Sequence, residues 1–166
     1  MHSAFEVGDK AVYPVLGVAE VMALEKRDVG GAEVAVYILK ILETGAKIMV
    51  PTANAAAVGL RGIIGSKEVK EVYAILRSRD VARDTQTWNR RYREYMEKIK
   101  TGSIFEIAEV LRDLCVLRRS KELSFGERRM LETTRSLLVR EIALAKGTTD
   151  DKISAEIDSF FAAAAA

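Results

Sequence analysis

Near residues 59–66 the spacing of apolar residues in this chain changes, and that change limits the folds open to it. Before it, Lys10 to Tyr13, Val18 to Glu25, Val34 to Leu42 and Lys47 to Val50 are short runs rich in Val, Ile and Tyr. Pro14, Gly17, Gly30-Gly31 and Thr44-Gly45 separate them. Such runs predict strands, and a Gly-Gly pair between two of them predicts a tight hairpin. From Ser66 onward the spacing is helical. Val69, Val72, Tyr73 and Leu76 form one stripe, and Trp88, Tyr92, Tyr95, Met96 and Ile99 form another that stops near Gly102. Ile104, Ile107, Ala108, Leu111, Leu114 and Cys115 follow, then Leu131, Leu138 and Ile142 ahead of Gly147, then a last amphipathic turn or two at Ile153, Ile157, Phe160 and Phe161. Between the two regimes lies Gly59-Leu60-Arg61-Gly62-Ile63-Ile64-Gly65-Ser66, where three glycines punctuate the change of period.

The expected fold class is therefore α+β. Residues 1–62 make a small, strongly bent β domain of the Tudor or SH3 type, and residues 66–161 make a compact all-α domain of about five helices. Ser103 with Glu106, and Ser124 with Glu127, match the capping box, so helices are expected to start at about 104 and 125. No apolar run reaches the roughly 18–20 residues of a membrane span, and no basic-then-apolar leader opens the chain, so a cytoplasmic protein is expected. The closing Ala162–Ala166 run is set aside as an incompletely identified tail.

Catalysis finds little support in the side-chain inventory. His2 is the one histidine and Cys115 the one cysteine, which leaves no Ser-His-Asp or Cys-His pairing and no ordinary structural zinc site. No phosphate-cradling loop ending in Gly-Lys-Ser or Gly-Lys-Thr is present. Asp150-Asp151, and Glu94 with Glu97, read as helix-start charges and solvated faces. No enzyme activity, cofactor or metal is expected.

Charge is informative in its distribution. Residues 1–65 carry 6 Lys and Arg against 7 Asp and Glu, a net −1, whereas residues 77–129 carry 14 against 9, a net +5, with 11 of those 14 being arginine. Polyanion-binding chemistry belongs to the second half. It is densest at Trp88-Asn89-Arg90-Arg91-Tyr92-Arg93-Glu94-Tyr95-Met96, where arginines interleave with aromatic side chains. Arginines neutralise phosphates, and a flat ring can wedge against a base step. The same spacing would equally make Trp88 the first core residue of an amphipathic helix. Arg118, Arg119 and Lys121 form a second cluster in a predicted loop, and Arg128 with Arg129 a third in a first helical turn, where cations oppose the macrodipole. In the first half, Ile48-Met49-Val50-Pro51 is an apolar strand closed by proline, either a buried strand or a sheet edge open to a partner.

With these residues in hand, the chain resembles the bacterial CarD/CdnL transcription regulators. The resemblance is carried by Phe5-Glu6-Val7-Gly8-Asp9-Lys10-Ala11-Val12-Tyr13-Pro14 with Gly17, and by Ile48-Met49-Val50-Pro51 followed by Val58-Gly59-Leu60-Arg61. In the helical half it rests on Trp88-Asn89-Arg90-Arg91-Tyr92, Ala108-Glu109-Val110-Leu111-Arg112-Asp113-Leu114 and Leu123-Ser124-Phe125-Gly126-Glu127-Arg128-Arg129-Met130-Leu131. It covers about residues 5–161.

The resemblance implies a division of labour. The Tudor-like domain would bind the β subunit of bacterial RNA polymerase through Arg27, Ile48, Met49, Val50 and Pro51, although some relatives carry arginine at the position of Met49. The helical domain would contact promoter DNA at the upstream edge of the bubble, with Trp88 as a minor-groove wedge. Met96 and Phe125 would join Trp88 in a nonpolar patch, and Arg90, Arg91, Arg93, Arg128 and Arg129 would meet phosphates. The implied outcome is a longer-lived open promoter complex, formed without catalysis by a nucleoid-associated protein that binds isolated DNA weakly. Two other readings stay open. One is the N-terminal part of a larger CarD-type regulator that also binds another regulatory protein, and the other is an architectural DNA-binding protein acting without polymerase.

Overall fold

The structure is a computed structural model that describes residues 5–79 and 88–162. His2 and the terminal alanines 163–166 lie outside the described residues. The chain divides into two compact units, one ending at Ile63 and the other starting at Ile64.

The first unit is a sheet of five antiparallel strands: β1 (Lys10–Tyr13), β2 (Gly17–Val29), β3 (Ala32–Ile41), β4 (Lys47–Pro51) and β5 (Arg61–Gly62). Their order across the sheet is β4-β3-β2-β1-β5. At 13 residues β2 is long enough to serve both neighbours, pairing its start with β1 and running from Ala19 to Val29 against β3. The ladder shifts register between Val21 and Ala23, a bulge that bends the strand. Both strands outrun the sequence expectation because pairing continues past the apolar residues, through Lys26, Arg27 and Asp28, to Val29 opposite Ala32. The hairpin closes at Gly30 and Gly31, whose φ angles of 60° and 85° are those a two-residue turn matched to strand twist requires. Ala19, Val21, Tyr37, Leu39, Ile41, Val50 and Leu60 build the core, and the ring of Phe5 stands edge-on to Tyr37 with centroids 5.9 Å apart.

The second unit contains α1 (Ser66–Arg77), α2 (Trp88–Lys100), α3 (Ile104–Arg118), α4 (Phe125–Lys146) and α5 (Asp150–Ala162). The stripes read from the sequence meet in one core that includes Val72, Leu76, Leu111, Leu114, Leu138, Ile142, Ile153 and Ile157, all with 0% exposure. α3 touches α1, α2 and α4. Cys115 is buried there, and desolvation pushes its thiol up from the ordinary value. α5 is longer than the turn or two expected, running 13 residues from Asp150 and Asp151, which complement the positive helix start. Among the described residues no helix is long and apolar enough to cross a membrane.

The two capping boxes fare differently. Ser124 and Glu127 bond reciprocally: the Glu127 N–H donates to Ser124 Oγ at 3.3 Å, and the Ser124 N–H donates to Glu127 Oε1 at 2.9 Å. At α3 the start falls where Ser103 predicts, but Ser103 makes no side-chain cap bond. Its N–H instead donates to Thr101 Oγ1 at 3.1 Å, and Glu106 Oε2 is left buried without a hydrogen-bond partner. The neighbouring threonine has taken the donor that Glu106 would have accepted.

Candidate nucleic-acid interface

Trp88 opens α2 and is half-buried against the helical core. Its indole lies on Gly126, in the first turn of α4. A Cβ at Gly126 would stand 3.3 Å from Trp88 Nε1 and 3.4 Å from Cζ2, tighter than an ordinary van der Waals contact. Tyr92, one turn on, meets the indole edge-on at 5.6 Å between centroids and is itself exposed. Trp88 is thus packed against the core on one side and keeps part of its surface in solvent.

The next residue of α4 fastens the same corner. Glu127 is 1% exposed. Besides capping Ser124 it accepts ion pairs from Arg91 of α2, Nη1 to Oε2 at 3.5 Å, and from Lys121, Nζ to Oε1 at 3.2 Å. Burial pushes its carboxyl up, but hydrogen bonds from Ser124 and Lys121 outweigh that and hold it below the usual carboxylate range. A carboxylate this deep is tolerable because it is so fully partnered. Arg91, expected at a phosphate, has a side chain that is 12% exposed and ties α2 to α4.

On the same two helices Arg90, Arg93, Arg128 and Arg129 are exposed. Arg118, Arg119, Lys121 and Arg128 line an open depression of about 460 Å³ beside the α3–α4 loop. Phe125 is 72% exposed, and Met96, like Trp88, is half-buried against the helical core. Among the described residues no three potential metal ligands come together.

In the first unit β4 lies at the sheet edge, with burial alternating along it: Met49 is 58% exposed, Ile48 half-buried and Val50 buried. The register sets Met49 opposite Ile38 and Pro51 opposite Val36, with Ala23 and Glu25 next across the sheet. Residues in such rows share a face, so Met49, Pro51 and Arg27, two residues beyond Glu25, lie on one side of the sheet. Arg27 is held there by Glu25, Nη2 to Oε2 at 2.6 Å.

Residues 5–64 match the family described as the CarD-like/TRCF RID domain, and residues 71–158 match that described as CarD, C-terminal domain. The chain belongs to the CarD/CdnL family. It is 30% identical over 149 residues to the protein named "Putative transcription factor YdeB" of Bacillus subtilis (strain 168), covering 90% of this chain and 97% of that one. The solution structure of the 72-residue N-terminal domain of Myxococcus xanthus CarD is 36% identical over 35% of this chain and 77% of its own, with a TM-score of 0.31. A structure of CdnLNt from the same organism is 50% identical over 39% of this chain and 90% of its own, with a TM-score of 0.32. As a CarD/CdnL member the chain is a transcription regulator.

Two residues of this CarD/CdnL site escaped the sequence reading. Gly126 seats the indole, and Glu127 serves as the partner of Arg91 as well as a cap. A signal for the first was present: glycine inside a first helical turn costs about 1 kcal/mol relative to alanine, so it asks for a reason outside the helix. No local pattern pairs Arg91 with a carboxylate 36 residues away.

Proposed function

We propose that this regulator binds the β subunit of RNA polymerase through its β unit and stabilises the open promoter complex through its helical unit, without catalysis. The match of residues 5–64 to the RID domain supports RNA polymerase as the partner in general. The β4 edge supports strand addition as the mode, because an unpaired edge offers backbone donors and acceptors while Met49, Pro51 and Arg27 offer side chains on one face.

The observation that carries the DNA half of the proposal is the mounting of Trp88. Its ring is fixed from below by Gly126 and its helix is tied by the Arg91–Glu127 pair, while Arg90 and Arg93 of the same helix and Arg128 and Arg129 of α4 are exposed. A held ring among free cations suits a wedge at the edge of melted DNA. The arginines supply salt-sensitive attraction to phosphates, and the ring supplies preference for a distorted step. Preference is what lengthens a lifetime, since a ligand shifts an equilibrium only by its differential affinity, about 1.4 kcal/mol for each factor of ten. A few phosphate contacts give weak binding to isolated DNA, and attachment to polymerase raises the local concentration.

The test is the lifetime of open complexes on a ribosomal-RNA-type promoter after competitor challenge. Wild type prolongs it, Trp88→Ala and Met49→Asp do not, and each variant keeps its fold. Equal lifetimes for wild type and Trp88→Ala would remove the wedge from the proposal. An architectural protein acting without polymerase would instead bind bent duplex tightly and ignore Met49→Asp.

A further inference from the structure

α4 carries a second aromatic surface that the wedge does not use. Successive residues of a helix point roughly 100° apart, so Phe125 does not share the direction in which Gly126 meets Trp88. It belongs to another stripe. Phe125, Arg128, Arg129 and Glu132 follow the i, i+3, i+4, i+7 spacing of one face, and all four are exposed. Met130, Leu131, Thr134 and Leu138 bury the opposite face.

An aromatic residue at the head of a solvent stripe needs a reason. With 72% of its surface in water, Phe125 is more exposed than any other large apolar side chain among the described residues. It also does not stand alone. Phe125, Arg128, Arg129 and Glu132 together line a shallow, open depression. The ring offers a flat face at one end, and Arg128 and Arg129 offer two guanidinium groups one turn away. Glu132, two turns and roughly 10 Å along the axis, repels anions and confines phosphates to the arginine end.

We propose that this depression takes an unpaired nucleotide of melted DNA, its base stacked on Phe125 and its backbone phosphates against Arg128 and Arg129. Stacking on an exposed ring beside basic residues is how proteins hold single strands with little regard to sequence. A paired base cannot use the site, because its face is already covered by its neighbours in the duplex. Phe125 therefore discriminates melted from closed DNA separately from Trp88. The inference rests on the reading of the helical unit as a promoter-DNA surface.

The experiment measures binding of the full chain, at low salt, to a blunt duplex and to a fork of the same sequence whose single-stranded arm carries 2-aminopurine at the junction. Wild type prefers the fork and quenches the 2-aminopurine. Phe125→Ala and Phe125→Leu lose that preference by roughly tenfold and lose the quench, while Phe125→Tyr keeps both. Arg128→Ala with Arg129→Ala weakens binding to both DNAs and flattens the salt dependence. Preference retained by Phe125→Leu, or equal losses on fork and duplex in Phe125→Ala, would overturn the stacking site and mark Phe125 as a merely apolar contact. Trp88→Ala separates the two readings: a real wedge gives up part of the fork preference when its ring is removed, while the 2-aminopurine quench, which reports stacking on Phe125, stays. A full chain that binds neither DNA at low salt overturns the stacking site, whereas the wedge is judged by the open-complex lifetime with polymerase present.

Discussion

The β4 edge and the head of α4 present their exposed residues by opposite means. At β4 the backbone ladder does the work: pairing with β3 fixes Met49, and its neighbours Ile48 and Val50 only fill the core. At α4 side chains from three segments converge, since Trp88 and Arg91 of α2 and Lys121 of the preceding loop all rest on Gly126 and Glu127. A surface held by a ladder tolerates substitution of what it displays. A surface held by a buried charge depends on a residue it never displays.

The strongest way to break that contrast is Glu127→Ala. It takes the Glu127 carboxylate from Arg91, whose side chain is 12% exposed, and removes the side-chain half of the α4 capping box, so the helical unit should lose about 3 kcal/mol in chemical denaturation while the β unit unfolds as before. The same carboxylate predicts a pH response. Glu127 and Glu156 are both held below the ordinary 4.5, Glu156 chiefly by the Tyr73 hydroxyl that donates to it, so their stabilisation is present above that value and drains away as pH falls through the lowered ones. Tyr73, raised by burial and by that same hydrogen bond, works the other way: its contribution is complete below 10 and is lost only in stronger alkali. Melting the helical unit from pH 7 down to 3 checks the acid limb.

Met49→Asp is the matching test at the edge. On the proposed contact it should weaken polymerase binding by about 2 kcal/mol or more in a pull-down titration, yet move the melting temperature little, as exposed substitutions usually stay within about 0.5 kcal/mol. Gly126→Ala sharpens the comparison further, because alanine favours the helix by about 1 kcal/mol while its Cβ crowds the indole at 3.3 Å. Stability should hold, the emission of the single tryptophan should shift, and open-complex lifetime should fall. The smallest contrast lies in the caps: Ser124→Ala should cost about 1 kcal/mol and Ser103→Ala almost nothing, since only the first makes a side-chain cap bond.

These caps also show how far the sequence could be read. The change of period, the Gly30-Gly31 hairpin and both helix starts were legible, because each depends on residues a few positions apart. The length of β2 was less so, since Lys26, Arg27 and Asp28 are polar and only the partner strand keeps them extended. The Ser103 box failed on a competitor two residues upstream, Thr101, that the motif ignores. At the candidate site, the exposure of Arg90 and Arg93 followed from pattern, but that of Phe125 did not, and neither did the fate of Arg91, because its acid comes from another helix. Local rules reach as far as local partners.

The brevity of β4 has a kinetic consequence. Five residues span about 17 Å, and only alternate residues of an edge strand turn their N–H and C=O groups outward. Lys47 at one end and Pro51 at the other stop the ladder from lengthening in either direction. A docked strand therefore has few main-chain bonds to break on leaving, and a shorter edge means faster departure. On the proposed strand-addition mode, such a grip suits a regulator that lets go of one initiating polymerase and serves the next.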